Sequence, residues 1–216
     1  MQKRIKVHKN EQMNNRKAHW EQVYETKQPN EVSWTQEIPK QSLAFIRDFN
    51  LPKSARIIDI GGGDSNLVDC LLDEGYSNIT VLDISEKAIE RCKIRLGVRA
   101  ALVTWIVSDI TDFNPITTYD CWHDRAAFHF LTDPNEINTY KRIAKKAVNT
   151  FMIMGTFSEN GPKKCSMLEV HQYTAEELEA QFRDDFEKIK CLTEDHITPF
   201  NTTQHFLFCS FKRNNS

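Results

Sequence analysis

From Arg56 onward, short runs of branched apolar residues alternate with stretches of helical periodicity, and this alternation restricts the fold more than any other feature of the chain. A strand that is apolar at nearly every position is buried on both faces, so helices must cover it above and below, as in a parallel sheet. The expected strands are Arg56 to Ile60, Ile79 to Leu82, Leu102 to Val107, Tyr119 to His123 and Thr150 to Met154. Between them, Leu67, Val68, Leu71 and Leu72 share one helical face, and Ile89, Cys92 and Leu96 share another. These helices stop at Gly75 and Gly97, where a left-handed cap costs little.

Capping signals sharpen the picture. Ser85 is placed to cap the second helix, and Asp133, Pro134 and Glu136 supply cap, first position and capping-box partner for a helix bearing Ile137, Tyr140, Ala144 and Ala147. Thr174 and Glu177 form a second capping box, with Tyr173 and Leu178 at the spacing of a hydrophobic staple. Phe186 to Leu192 and His205 to Phe211 read as a closing antiparallel hairpin at one sheet edge. Ahead of the sheet, Asn15 to Lys27 and Lys40 to Phe49 are expected as helices joined by the loop Gln28 to Pro39. The expected organisation is a flexible tail over 1–14 and a single domain over 15–213, made of a helical lid (15–50) and an α/β core (56–213).

A chain of 216 residues buries a sufficient core without metal or disulfide staples. Its formal net charge of −2 lacks the basic surplus that binding to nucleic acid or an anionic membrane requires. The six cysteines, Cys70, Cys92, Cys121, Cys165, Cys191 and Cys209, form no C-x-x-C pair and no zinc-spaced cluster, so reduced thiols and no metal are expected. Met1 to Lys17 is basic and polar, unlike a signal peptide, and no run approaches the roughly 20 apolar residues of a membrane span; a cytoplasmic protein is expected.

Ligands of a parallel sheet bind beyond the carboxyl ends of its strands. There the chain places Asp59-Ile60-Gly61-Gly62-Gly63, whose glycines let backbone approach a ligand that any Cβ would repel. Asp83 lies about 20 residues beyond that turn, where a carboxylate accepts both hydroxyls of a ribose. Asp109 ends the third strand, placed to accept an adenine amino group while Ile84 and Ile110 sandwich the ring.

Asp59-x-Gly61-x-Gly63, Asp83 and Asp109 together resemble the signature of class I S-adenosylmethionine (SAM) dependent methyltransferases, and the resemblance covers nearly everything after Asn15. It implies a Rossmann-like α/β fold, with a seven-stranded, mostly parallel sheet, a reversed C-terminal strand and helices on both faces. It implies SAM as cofactor and S-adenosylhomocysteine (SAH) as product, with Asp59 and the backbone of Gly61, Gly62 and Gly63 at the methionine portion, Asp83 at the ribose hydroxyls and Asp109 at the adenine. Ser65 stands where many members carry a further glycine. His19-Trp20-x-x-x-Tyr24, Val32-Ser33-Trp34 and Trp122-His123-Asp124-Arg125-Ala126-x-Phe128-His129-Phe130-Leu131 are similar to a group of small bacterial methyltransferases; some eukaryotic protein-lysine methyltransferases share the opening pattern in part.

For methyl transfer itself, alignment and exclusion of water matter more than elaborate catalysis. His129 is the first candidate to position or deprotonate an acceptor, with His123 and Asp124 beside it. Tyr24, Trp34, Arg125 and Cys165 are the candidate acceptor contacts, and Trp20 is a lid aromatic. A small-molecule acceptor reacting through oxygen, nitrogen or sulfur is expected; a protein lysine is the variant. Two other classes stand beside this one: a nicotinamide-dependent oxidoreductase, against which Asn66 occupies the place of the last glycine of that fingerprint, and a non-catalytic SAM-binding protein.

Overall fold

The computed structural model describes residues 15–214; the expected tail over 1–14 lies outside them. A seven-stranded sheet runs in the order β3-β2-β1-β4-β5-β9-β8, where β1 is Ile57–Ile60, β2 Ile79–Asp83, β3 Val103–Val107, β4 Tyr119–Arg125, β5 Val148–Phe157, β8 Phe186–Ile197 and β9 Thr203–Arg213. Strands β1 to β5 pair in parallel, and β9 inserts antiparallel between β5 and β8. The order reverses between β1 and β4, and the crevice there is where an open α/β sheet receives ligands.

Both faces of the sheet carry core. Ile58, Trp122, Met152 and Met154 point to the side covered by α5 (Pro134–Ala147) and α6 (Ala175–Phe182), meeting Tyr140, Ala144, Leu178 and Phe182. Ile57, Val81, Cys121 and Ile153 point to the other side, covered by α2 (Lys40–Asp48), α3 (Leu67–Asp73) and α4 (Glu86–Leu96). Strand periodicity of two explains the division, since neighbours in one strand serve opposite layers.

Several local expectations are met at the atoms that motivated them. The Ser85 hydroxyl accepts from Ala88 N–H at the start of α4, and Thr174 and Glu177 exchange both bonds of their capping box. Asp133 caps α5 by accepting from Asn135 N–H, but Glu136 does not turn back to complete a box; both its oxygens accept from Arg16 Nη2 instead. The guanidinium is a full positive charge that engages both oxygens, whereas a peptide N–H would engage only one.

The helix over 15–26, α1, lies across the crevice, whereas α2 does not behave as a lid: it buries Leu43, Phe45 and Ile46 in the core. Strands β5, β8 and β9 extend beyond the expected segments. A short hairpin, β6 (Lys164–Cys165) with β7 (Leu168–Glu169), lies between β5 and α6 in the chain. Reduced thiols are expected throughout, yet Cys191 and Cys209 are joined in a disulfide. They stand directly opposite on β8 and β9, a proximity that the register creates and that a separation of 18 residues does not announce.

Candidate active site

The turn after β1 is built tightly enough that its glycines are required. Gly61 holds φ at +66°, and a Cβ there would lie 2.9 Å from the Ala127 methyl. A Cβ on Gly63 would stand 2.6 Å from Asp83 Oδ2. The turn is tied to β2 through bonds from Gly61 and Gly62 N–H to the Leu82 carbonyl. Ala126, at φ +67°, makes the matching sharp turn after β4 and brings Ala127 against Gly61.

Around this turn lies one cleft, lined from α1 and the Trp34 loop on one side to β4, β5 and β9 on the other. Asp59, Gly61, Gly62, Asp83, Ile84, Asp109 and Ile110 all line it, so the three carboxylates face a common space. Gly63 does not line it; it packs beneath, against Asp83 and Ala88.

Each carboxylate is held differently. Asp59 Oδ1 lies 2.7 Å from His123 Nδ1, and His123 Nε2 lies 2.8 Å from the Ser42 hydroxyl. With Nδ1 donating to the Asp59 carboxylate, Nε2 of a neutral ring would accept from Ser42. Asp83 Oδ1 accepts from Ser85 N–H; burial, aided by the charges of Asp59 and Glu21, pushes its pKa up to about 7. Asp109 Oδ1 accepts from the Thr111 N–H and hydroxyl, while Oδ2 pairs with Arg16 at 3.2 Å.

Arg16 belongs to the site although its segment reads in the sequence only as basic. With Glu21, it fastens α1 across the cleft. Glu21 accepts from the Ser85 hydroxyl and from the N–H groups of Glu86 and Lys87, placing an anion at the α4 N-terminus. Trp20, Tyr24 and Trp34 line the cleft and meet edge-on or tilted, with ring centroids 5.7 to 6.4 Å apart, and Trp20 also touches Phe130.

Two expected catalytic residues are elsewhere. His129 is wholly buried off the cleft, its Nδ1 accepting from Phe157 N–H. Desolvation, with the nearby Arg125 charge, lowers its pKa to about 3. Asp124 also leaves the cleft: it accepts from the N–H groups of Ala127 and Phe128 and from the Tyr140 hydroxyl, and burial raises its pKa to about 6. Asp124 folds back to bond peptide groups exposed by the turn at Ala126, and His129 turns inward to bond the Phe157 peptide on β5. His123 does line the cleft, as do Arg125 and Cys165; Cys165 is buried rather than a loop thiol. Ser42, Phe157, Gln204 and Phe206 join them, and only the fold brings these four here. Among the described residues no His, Cys, Asp and Glu group is arranged to hold a metal, and no helix is long and apolar enough to cross a membrane.

Sheet order, the one reversed strand and the glycine turn at the switch point define the Rossmann-like fold of class I methyltransferases. Residues 57–147 match the family model of a methyltransferase domain. Over 92 residues the chain is 35% identical to the malonyl-[acyl-carrier protein] O-methyltransferase of Anoxybacillus flavithermus, covering 42% of this chain and 34% of that protein. Over 84 residues it is 33% identical to the mouse (Mus musculus) eEF1A lysine and N-terminal methyltransferase, covering 38% of this chain and 12% of that one. The chain therefore spans about a third or less of the length of these curated relatives. A SAM-dependent methyltransferase from Anabaena variabilis superposes with a TM-score of 0.72 at 13% identity, over 94% of this chain and 95% of that structure.

Proposed function

We propose that the protein is a SAM-dependent methyltransferase acting on a small molecule through an oxygen, nitrogen or sulfur nucleophile. One observation carries the reading: Asp59, Asp83 and Asp109 face a single cleft around a turn whose glycines leave no room for a Cβ. That cradle fits an adenosyl ligand with a methionine arm. Asp83 would hold the ribose hydroxyls, Asp109 the adenine amino group between Ile84 and Ile110, and Asp59 with Gly61 and Gly62 the methionine end.

When bound, SAM supplies an electrophilic methyl group. The chain's own contribution is alignment and exclusion of water, for which α1 and the Trp34 loop cover the cleft. His123 keeps Asp59 in place through Nδ1 and borrows a hydroxyl from α2 through Nε2. His129, neutral and off the cleft, is not assigned a proton-transfer role. The lining continues past the cofactor set onto β4, β5 and β9, and an acceptor would sit on that side. A lysine ammonium there would meet the Arg125 guanidinium, which favours the small-molecule reading over the lysine one. A cytoplasmic location is proposed with it, where the Cys191–Cys209 bond would be open to reduction.

Calorimetric titration with SAM, SAH and NAD tests the cofactor. Saturable binding of SAM and SAH without NAD is expected; NAD binding alone would replace this reading with the oxidoreductase one. Transfer of label from methyl-labelled SAM to a panel of small acceptors and to a lysine peptide tests the activity. Binding without any transfer would leave a non-catalytic SAM-binding protein.

A further inference from the structure

The cleft has two chemically distinct halves, and the second lacks an assigned ligand. Strands β3, β2 and β1 contribute the acidic and glycine-bearing half. Strands β4, β5, β6 and β9, with the loop over them, contribute Arg125, Phe157, Cys165, Gln204, Phe206 and Trp34. This inference rests on the methyltransferase reading, which places the cofactor in the first half.

Arg125 is the cation of the second half. It opens onto the cleft at the end of β4, and its guanidinium lies 4.5 Å from the centroid of the Phe206 ring. Nη1 donates to the Trp34 carbonyl at 3.0 Å, while Nε and Nη2 are shielded from water without any partner. Asp124, its neighbour in sequence, is taken up by Ala127, Phe128 and Tyr140. Glu194, the acid whose charge acts most on it, makes no bond to it, and Glu194 Oε2 lacks a partner as well. Buried guanidinium N–H groups left unbonded are costly, and two adjacent donors in a fixed fork match the two oxygens of a carboxylate.

Gln204 is a second unsatisfied group on the same wall. It is nine-tenths buried, and one end of its amide bonds Ser33 while the other lacks a partner. The remaining walls, Trp20, Trp34, Phe130, Phe157 and Phe206, are aromatic. A fork of donors at the end of an aromatic slot, with one more polar contact at its side, selects a flat molecule carrying an anionic end.

We infer that the methyl acceptor is a small carboxylic acid with a planar, apolar body, its carboxylate seated on Arg125 and its body between the aromatic walls. The reacting nucleophile is then a second group of that molecule, turned toward the cofactor half. The methionine carboxylate of the cofactor is the other source of the same chemistry, and binding measurements separate the two.

The test uses the whole 216-residue chain saturated with SAH. Calorimetry and thermal shift are run with 4-hydroxybenzoate, indole-3-acetate and phenylpyruvate, each beside its neutral amide. At least one acid is expected to bind at least tenfold more tightly than its amide. Arg125→Gln should abolish that preference while changing the SAH Kd less than twofold, and Arg125→Lys should keep part of it. Glu194→Gln should leave acid binding intact or tighter. The inference is overturned if no acid binds above its amide, or if Arg125→Gln and Arg125→Lys weaken SAH tenfold and spare the acids. It is likewise overturned if Glu194→Gln abolishes acid binding, because Arg125 would then serve a structural pair. Failure of the wild-type protein to bind SAH would instead sink the methyltransferase reading itself, and that titration is made first.

Discussion

His123 holds Asp59 by a 2.7 Å bond from Nδ1, joining register partners on β4 and β1 across the strand reversal. Both side chains are buried, so the pair fixes where the Asp59 carboxylate stands in the cleft. Removing the imidazole leaves a buried carboxylate short of a donor, at a cost of about 1–3 kcal/mol. His123→Phe is therefore expected to lower the denaturant midpoint accordingly and to weaken SAH by tenfold or more, with His123→Asn recovering part of both. Unchanged SAH affinity in His123→Phe would show that Asp59 needs no such support.

The Asp83 carboxyl, pushed up to about 7 from an ordinary 3.8, makes stability depend on pH in a predictable direction. Between those values the folded protein holds a proton that the unfolded chain has released. Its contribution is therefore greatest below pH 4 and is lost as pH rises through 7. His129 acts in the opposite sense: lowered from 6.5 to about 3, it contributes fully above pH 6.5 and loses that contribution as pH falls. Because the two overlap, the measurement is a difference. The unfolding free energy of wild type minus that of Asp83→Asn should decline from pH 4 to 7 and level off above. A flat difference would mean that Asp83 is ionised in the folded protein throughout.

The same carboxyl sets a binding prediction. Ribose hydroxyls donate to the ionised form, so SAH should bind more tightly at pH 8 than at pH 6, releasing protons to the buffer. Calorimetry in buffers of differing ionisation enthalpy reads this directly. Asp83→Asn should abolish the proton release and weaken binding by about 1–3 kcal/mol; proton release retained in that variant would assign the pH dependence elsewhere.

Much of this site is legible in the sequence because the signals are local. Asp59, Asp83 and Asp109 lie at or just beyond the carboxyl ends of strands of branched residues, and strand ends in a parallel sheet converge at one edge. What is not legible depends on long-range register. Cys191 and Cys209 meet because β8 and β9 pair in one particular alignment, and Phe206 and Gln204 reach the cleft because β9 lies next to β5. Asp124 and His129 leave the cleft because each bonds backbone instead: Asp124 the peptides that follow Ala126 at positive φ, and His129 the Phe157 N–H of β5, a partner that only the fold supplies. Arg16 carries no pattern; its role arises from two acids, Asp109 and Glu136, that the fold brings to it.

The cysteine pairing predicts a count. Four cysteines, Cys70, Cys92, Cys121 and Cys165, carry free thiols, and Cys191 with Cys209 does not. Alkylation of the denatured, unreduced protein should add four labels by mass spectrometry, rising to six after reduction. Cys70, the only one of the four that is not buried, should label first in the native state. Six labels without a reductant would show the pair to be reduced in the isolated protein.

Gly63 and Gly75 separate crowding at the site from backbone strain. A methyl group on Gly63 would stand 2.6 Å from Asp83 Oδ2 and 2.9 Å from the Ala88 Cβ, so the Asp83 carboxylate must shift. Overpacking of this kind costs about 1–3 kcal/mol, and the displaced carboxylate should cost at least tenfold in SAH affinity. Gly75, at φ +86° after α3, would have nothing within 4 Å of an added methyl, so Gly75→Ala meets only the strain of a left-handed residue, about 1–2 kcal/mol. Both variants are expected to lose stability, and Gly63→Ala alone should lose SAH. Equal SAH affinities would mean that the Asp83 carboxylate is not fixed by the turn beneath it, and the ribose assignment would lose its geometric basis.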